Sequence, residues 1–161
     1  MACSLKFYTI DEPYVDYLAP SSPHLFRNAR RDQGNSRKYV GIVLQVNGFN
    51  YFVPLSSYKP KHQKMKNGLD FLKIKDYAVL NLNCMIPVPD GAFHEVVFAD
   101  EKDLRYRSLL QAEYRVVKQM SERIEKNALN LYKHKLENGV ATKLAARCND
   151  FAKLEELCKS Y

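Results

Sequence analysis

Tyr39-Val40-Gly41-Ile42-Val43-Leu44-Gln45-Val46, Asn47-Gly48 and Phe49-Asn50-Tyr51-Phe52-Val53-Pro54-Leu55-Ser56-Ser57-Tyr58-Lys59 form the stretch that decides the fold. Two apolar runs, rich in β-branched and aromatic residues, flank Asn-Gly. A type I′ turn needs two residues that tolerate positive φ, so this pair predicts a tight hairpin between strands over 38–46 and 49–55. Gly41 inside the first strand marks a bulge or a close backbone approach. The second strand ends in a proline and two hydroxyls, and a basic segment follows at once: Lys59, Lys61, His62, Lys64 and Lys66. Hydroxyls and ammonium groups gathered at one rim of a sheet suit a phosphate.

Working outward, residues 5–10 alternate well enough to read as a first strand. Asp11-Glu12-Pro13 supplies an N-cap, an early acid and a first-turn proline for a short helix over 14–18. Residues 24–36 read as a loop whose length marks it as functional. Beyond the hairpin, 59–68 is a basic connection, and 70–73 with 77–83 make a second hairpin around Lys75-Asp76. The run 84–89 continues as strand until its prolines stop pairing, Asp90-Gly91 turns, and 93–98 is a last strand.

From Asp100 the apolar period changes to three and four, as on one helix face. Asn138-Gly139 stops this helix, and a break near Ser121 would divide it in two. A further helix capped near Asn149-Asp150 runs over 151–158. The expectation is an α+β fold in one domain over 1–161. Five or six short, mostly antiparallel strands in about 1–99 roll into a small, partly open barrel, and about 100–161 is helical.

The charge locates a partner. Residues 1–75 carry 12 Lys plus Arg against 5 Asp plus Glu, whereas residues 76–161 carry 13 of each. Within 24–66 there are nine basic residues (Arg27, Arg30, Arg31, Arg37, Lys38, Lys59, Lys61, Lys64, Lys66) and one acid, Asp32. Such clustering marks a polyanion; the bland alternative is a solvated basic face. No apolar run approaches the roughly 20 residues that span a bilayer, and residues 1–10 hold no secretory h-region, so the expected address is the cytoplasm. The cysteines (Cys3, Cys84, Cys148, Cys158) form no Cys-x-x-Cys pair and read as reduced thiols. The histidines stand at no zinc-ligand spacing to them, so no metal or other cofactor is expected.

Nucleotide cradles of the Gly-x-x-x-x-Gly-Lys and Gly-x-Gly-x-x-Gly types are absent, as is a Gly-x-Ser-x-Gly elbow. Paired carboxylates for a two-metal nuclease are missing from the basic window. What remains is Ser56, Ser57, Lys59, His62, Arg37 and Lys38. RNA carries its own nucleophile, the 2′-hydroxyl, and needs only positioning, help with proton transfer and stabilisation of charge on phosphorus. Hydroxyls with Lys and Arg can supply these without a metal. Serines after a strand also serve as turn formers. His62, with His24, has the pKa range of a general acid or base. Tyr39, Tyr51 and Tyr58 can stack on unpaired bases, and Tyr39 and Tyr51 suit the core equally.

Leu5-Lys6-Phe7-Tyr8-Thr9-Ile10, Tyr39-Val40-Gly41-Ile42-Val43-Leu44 with Asn47-Gly48, Tyr51 to Lys59, and Leu80-Asn81-Leu82-Asn83-Cys84-Met85-Ile86-Pro87 together resemble the toxins of type III toxin–antitoxin systems, the ToxN/AbiQ family, and its CptN branch most. The resemblance implies a metal-independent endoribonuclease on an extended, twisted MazF/Kid-type sheet, leaving a 2′,3′-cyclic phosphate. It implies inhibition by a small folded, pseudoknot-like RNA, cut from a repeat array by the toxin and joined with it in a closed assembly, and a role in phage defence by abortive infection.

The family's Pro-Leu-[Thr/Ser]-Ser-x-Lys motif falls on Pro54, Leu55, Ser56, Ser57 and Lys59. Ser57 is then the critical hydroxyl, Ser56 its neighbour and Lys59 the phosphate contact. Arg37 stands where the family carries a basic residue ahead of the strand, and Lys38, Tyr58, Lys61, His62, Lys64, Lys66, Arg27, Arg30 and Arg31 are RNA-contact candidates. A tyrosine common in the family's preceding loop has no counterpart, since no Tyr occurs between Leu18 and Lys38. The alternative is a non-catalytic RNA-binding module using the same window.

Overall fold

The computed structural model describes residues 5–25 and 37–161. Arg27, Arg30, Arg31, Cys3 and most of the 24–36 loop lie outside the described residues. The strands are β1 (Lys6–Ile10), β2 (Tyr39–Val46), β3 (Phe49–Ser57), β4 (Phe71–Ile74), β5 (Ala78–Asn81), β6 (Ile86–Pro87) and β7 (Phe93–Glu95). The helices are α1 (Glu12–Leu18), α2 (Leu104–Gln119), α3 (Ser121–Asn138), α4 (Lys143–Ala146) and α5 (Phe151–Ser160).

The β2–β3 hairpin turns on Asn47 (φ 53°) and Gly48 (φ 81°), the conformations that made Asn-Gly legible. Its register runs Val46↔Phe49 to Leu44↔Tyr51, then shifts before Gly41↔Phe52, so the expected bulge is present. A methyl group at Gly41 would be driven into the Phe52 ring, so the backbone there also approaches its neighbour closely. The sheet order is β4-β5-β3-β2-β1-β7, with β6 added to β3, and every pairing is antiparallel. It is an open sheet. A barrel would need the terminal strands to pair, and β4 and β7, of four and three residues, end the path unpaired with each other.

Helices α3 and α5 pack against β2 and β6. Tyr51 of β3, Tyr132 of α3 and Phe151 of α5 form the aromatic centre of that layer, with Tyr132 stacked on Phe151 at 5.6 Å between centroids. Both phenols donate to Glu155 Oε2, at 2.5 and 2.7 Å, so the buried carboxylate is satisfied. Tyr114 of α2 packs on Phe7 of β1 at 5.6 Å. None of the described helices is long and apolar enough to cross a membrane.

Several boundaries differ from expectation. Asp11 does occupy the N-cap of α1, but its carboxylate caps nothing and pairs with His94 Nε2 at 2.8 Å instead. The last strand stops at Glu95, because Val97 leads into a 3₁₀ turn over Phe98–Asp100. Residues 82–84 form another such turn, which leaves only Ile86–Pro87 as strand. The long helix is two helices that meet at Met120, and its start is capped by Asp103, which accepts from the amides of Arg105 and Tyr106. Cys84, Cys148 and Cys158 are buried free thiols.

Candidate functional site

Strand β3 changes partners along its length. Tyr51 and Phe52 pair with β6, whereas Leu55, Ser56 and Ser57 pair with β5. Pro54 sits at the change. The Leu55 amide donates to Lys38 O at 2.9 Å, so the missing N–H of Pro54 faces the opposite edge, where no ladder bond is lost. The motif therefore emerges at the end of a central strand rather than on a free edge.

Adjacent strand residues point to opposite faces, and this divides the two serines. Ser56 shares its face with Val79 and Asn81 of β5, and Arg37, just ahead of β2, reaches it from the other side. Arg37 Nη1 donates to Ser56 Oγ at 3.2 Å and to Leu55 O at 3.3 Å. Asn81 Nδ2 donates to the same Ser56 oxygen at 3.4 Å. Ser57 lies opposite Ala78 on the other face and is exposed. Lys59 is exposed beyond it, in extended backbone at φ −120° and ψ 159°.

The segment after the motif is ordered by His62. Residues Pro60–Lys64 form a 3₁₀ turn in which the His62 amide donates to Lys59 O, and the Lys59 amide donates to His62 Nδ1 at 2.8 Å. The His62 ring is buried between Tyr58 and Phe71, each 5.6 Å away. Burial, and then the charges of Lys61, Lys59 and Lys73, hold its pKa below the usual value. Lys73 Nζ ties the turn to β4 by donating to Gln63 O at 3.2 Å. Lys61, Lys64 and Lys66 project into solvent, and Tyr58 is half-buried.

Lys38 is directed away from Arg37. Its ammonium lies 5.5 Å from the Tyr106 ring of α2, and burial lowers its pKa against the opposing pull of Glu101. Tyr106, Glu101 and Asn81 escaped sequence reading. The first two act across more than 60 residues of chain, and Asn81 shows itself only as a polar residue in an apolar strand. Residues 37–66 hold six Lys and Arg and no acid, so this segment brings a net positive charge to the rim. No group of three or more His, Cys, Asp or Glu side chains with metal-holding geometry occurs among the described residues.

Fold and rim together define an α+β protein whose central strand ends in a donor-rich, positively charged site suited to a phosphodiester. The chain belongs to the ToxN family of type III toxin–antitoxin toxins, whose family model (Toxin ToxN, type III toxin-antitoxin system) matches residues 6–159. It is 34% identical over 167 residues to Endoribonuclease ToxN of Bacillus thuringiensis subsp. kurstaki, covering 97% of this chain and 84% of the relative. Among solved structures it is similar to a chain from work on selective toxin inhibition by a non-coding RNA pseudoknot, with a TM-score of 0.82, 31% identity and 99% and 98% of the two chains covered. It also matches AbiQ, a lactococcal anti-phage endoribonuclease of a type III system, with a TM-score of 0.85, 26% identity and 99% and 98% covered.

Proposed function

We propose that this chain is a metal-independent, sequence-specific endoribonuclease toxin of the cytoplasm, acting over residues 1–161 as one unit and held inactive by a small folded RNA cut from a repeat array. The observation that carries this reading is the Arg37–Ser56 hydrogen bond at 3.2 Å, at the end of the strand that also delivers exposed Ser57 and Lys59. The endoribonuclease relatives, the RNA-inhibited toxin and the anti-phage role of AbiQ support it.

In the reaction, the substrate's 2′-oxygen attacks the adjacent phosphorus and the P–O5′ bond breaks. The 2′-hydroxyl gives up its proton, the 5′-oxygen takes one up, and the products are a 2′,3′-cyclic phosphate and a 5′-hydroxyl. Charge grows on the non-bridging oxygens, where fixed donors act most strongly. Because β3 ends at Ser57, a phosphate seated at the strand end meets both faces: Ser57 and Lys59 contact it from one, and Arg37 and Ser56 complete the donor set from the other. Lys61, Lys64, Lys66, Tyr58 and Lys38, with Arg27, Arg30 and Arg31, hold the RNA on either side. His62 fixes the backbone that presents Lys59. The inhibitory RNA fills the same groove in a closed toxin–RNA assembly.

The test is cleavage of A-rich transcripts by RNA-free protein in excess EDTA. Cleavage is expected. Intact transcripts despite salt-dependent binding would overturn it in favour of a non-catalytic RNA-binding module.

A further inference from the structure

We infer that Asn81 is a positioning residue that, together with Arg37, turns Ser56 into a dedicated hydrogen-bond donor for a phosphate oxygen. The inference rests on the endoribonuclease reading of the site. A serine hydroxyl has two acceptor lone pairs and one proton to donate. Arg37 Nη1, at 3.2 Å, and Asn81 Nδ2, at 3.4 Å, both donate to Ser56 Oγ. With both lone pairs engaged, the hydroxyl has only its proton left to offer, and a phosphate oxygen is an acceptor that takes it. The arrangement also polarises the O–H bond, since one of the two donors is a cation.

The strand register makes the contact. Ser56 pairs with Val79, so Asn81 is its diagonal neighbour on the same face of β5. Asn81 is out of place by propensity, following Ala78, Val79 and Leu80, all buried, and preceding buried Leu82. Among the described residues, its side-chain amide bonds to Ser56 alone. The backbone of β5 does not explain a polar side chain here; the Ser56 hydroxyl does.

A role exercised through Ser56 has a signature that a merely structural role lacks. Asn81→Ala is expected to lower kcat about tenfold, the size of one hydrogen bond, with KM, RNA affinity and Tm unchanged. In a Ser56→Ala background the same substitution is expected to have no further effect on kcat. Asn81→Asp keeps the shape but offers an acceptor that captures the Ser56 proton, and should lower kcat more than Asn81→Ala. Wild-type kcat in Asn81→Ala, an equal additional loss on top of Ser56→Ala, or full activity in Asn81→Asp would overturn the assignment while leaving the endoribonuclease reading standing. An inactive wild-type protein would overturn that reading and this role with it.

Discussion

The backbone amide of Lys59 donates to Nδ1 of His62 across 2.8 Å, and the His62 amide returns a bond to Lys59 O. This reciprocal pair closes the turn after β3 and fixes the backbone from which the Lys59 side chain leaves. The imidazole must be neutral at Nδ1 to accept. A histidine that reads in sequence as an acid or base thus serves here as an acceptor, buried between Tyr58 and Phe71.

This relationship predicts a pH dependence. Burial, then Lys61, Lys59 and Lys73, lower the His62 pKa from 6.5. A depressed folded value means that the unfolded chain takes up the proton first as pH falls. The stability contributed by neutral His62 is therefore complete above 6.5 and is lost as pH drops through the lower folded value. Amide exchange at Lys59 should accelerate over that window relative to exchange in the sheet core. In His62→Gln the acceleration should vanish; if it persists, another group is responsible.

Ser57→Ala and Lys59→Ala should each lower kcat by about 10²–10³, the usual effect of deleting a donor aimed at developing charge. Both side chains are exposed, so Tm should stay near the wild-type value. Single-turnover cleavage with a melting curve checks this. Unaltered rates in both variants would contradict the site assignment.

Arg37→Ala should weaken RNA binding and reduce the slope of log affinity against log salt by about 0.7, the contribution of one single-strand phosphate contact. It also removes a donor from Ser56, so kcat should fall as well. Binding measured across a salt series separates the two effects. An unchanged slope would contradict a phosphate role for the guanidinium.

Gly41→Ala should destabilise the fold by about 1–3 kcal/mol. The new methyl carbon would stand within 2.6 Å of Phe52 Cε1, and that ring is fully buried. Denaturant unfolding reads the loss, and a wild-type midpoint would show that the bulge relaxes freely.

Local chemistry was legible where one residue type answers one geometric demand. Asn47-Gly48 satisfied the positive-φ turn, Gly139 ended α3 at φ 58°, and Asp150 capped α5 by accepting from the Lys153 amide. Asp11 was legible as a helix start but not as the partner of His94, because that contact joins residues 83 apart. The rim was legible as charge and hydroxyls, yet the division of Ser56 from Ser57 depends on strand register. So does the contact of Asn81 with Ser56. Barrel closure failed because β4 and β7, which end the sheet path, do not pair with each other, and pairing between strands so far apart in sequence leaves no local signal.

In the proposed mechanism the RNA's own 2′-hydroxyl is the nucleophile and fixed protein donors stabilise the charge. End-group analysis of RNA cut by the protein in excess EDTA tests it most directly. A 2′,3′-cyclic phosphate is expected on the upstream fragment and a 5′-hydroxyl on the downstream one, with no cut at a 2′-deoxy substitution. A 3′-hydroxyl with a 5′-phosphate, or cleavage at the 2′-deoxy position, would contradict it.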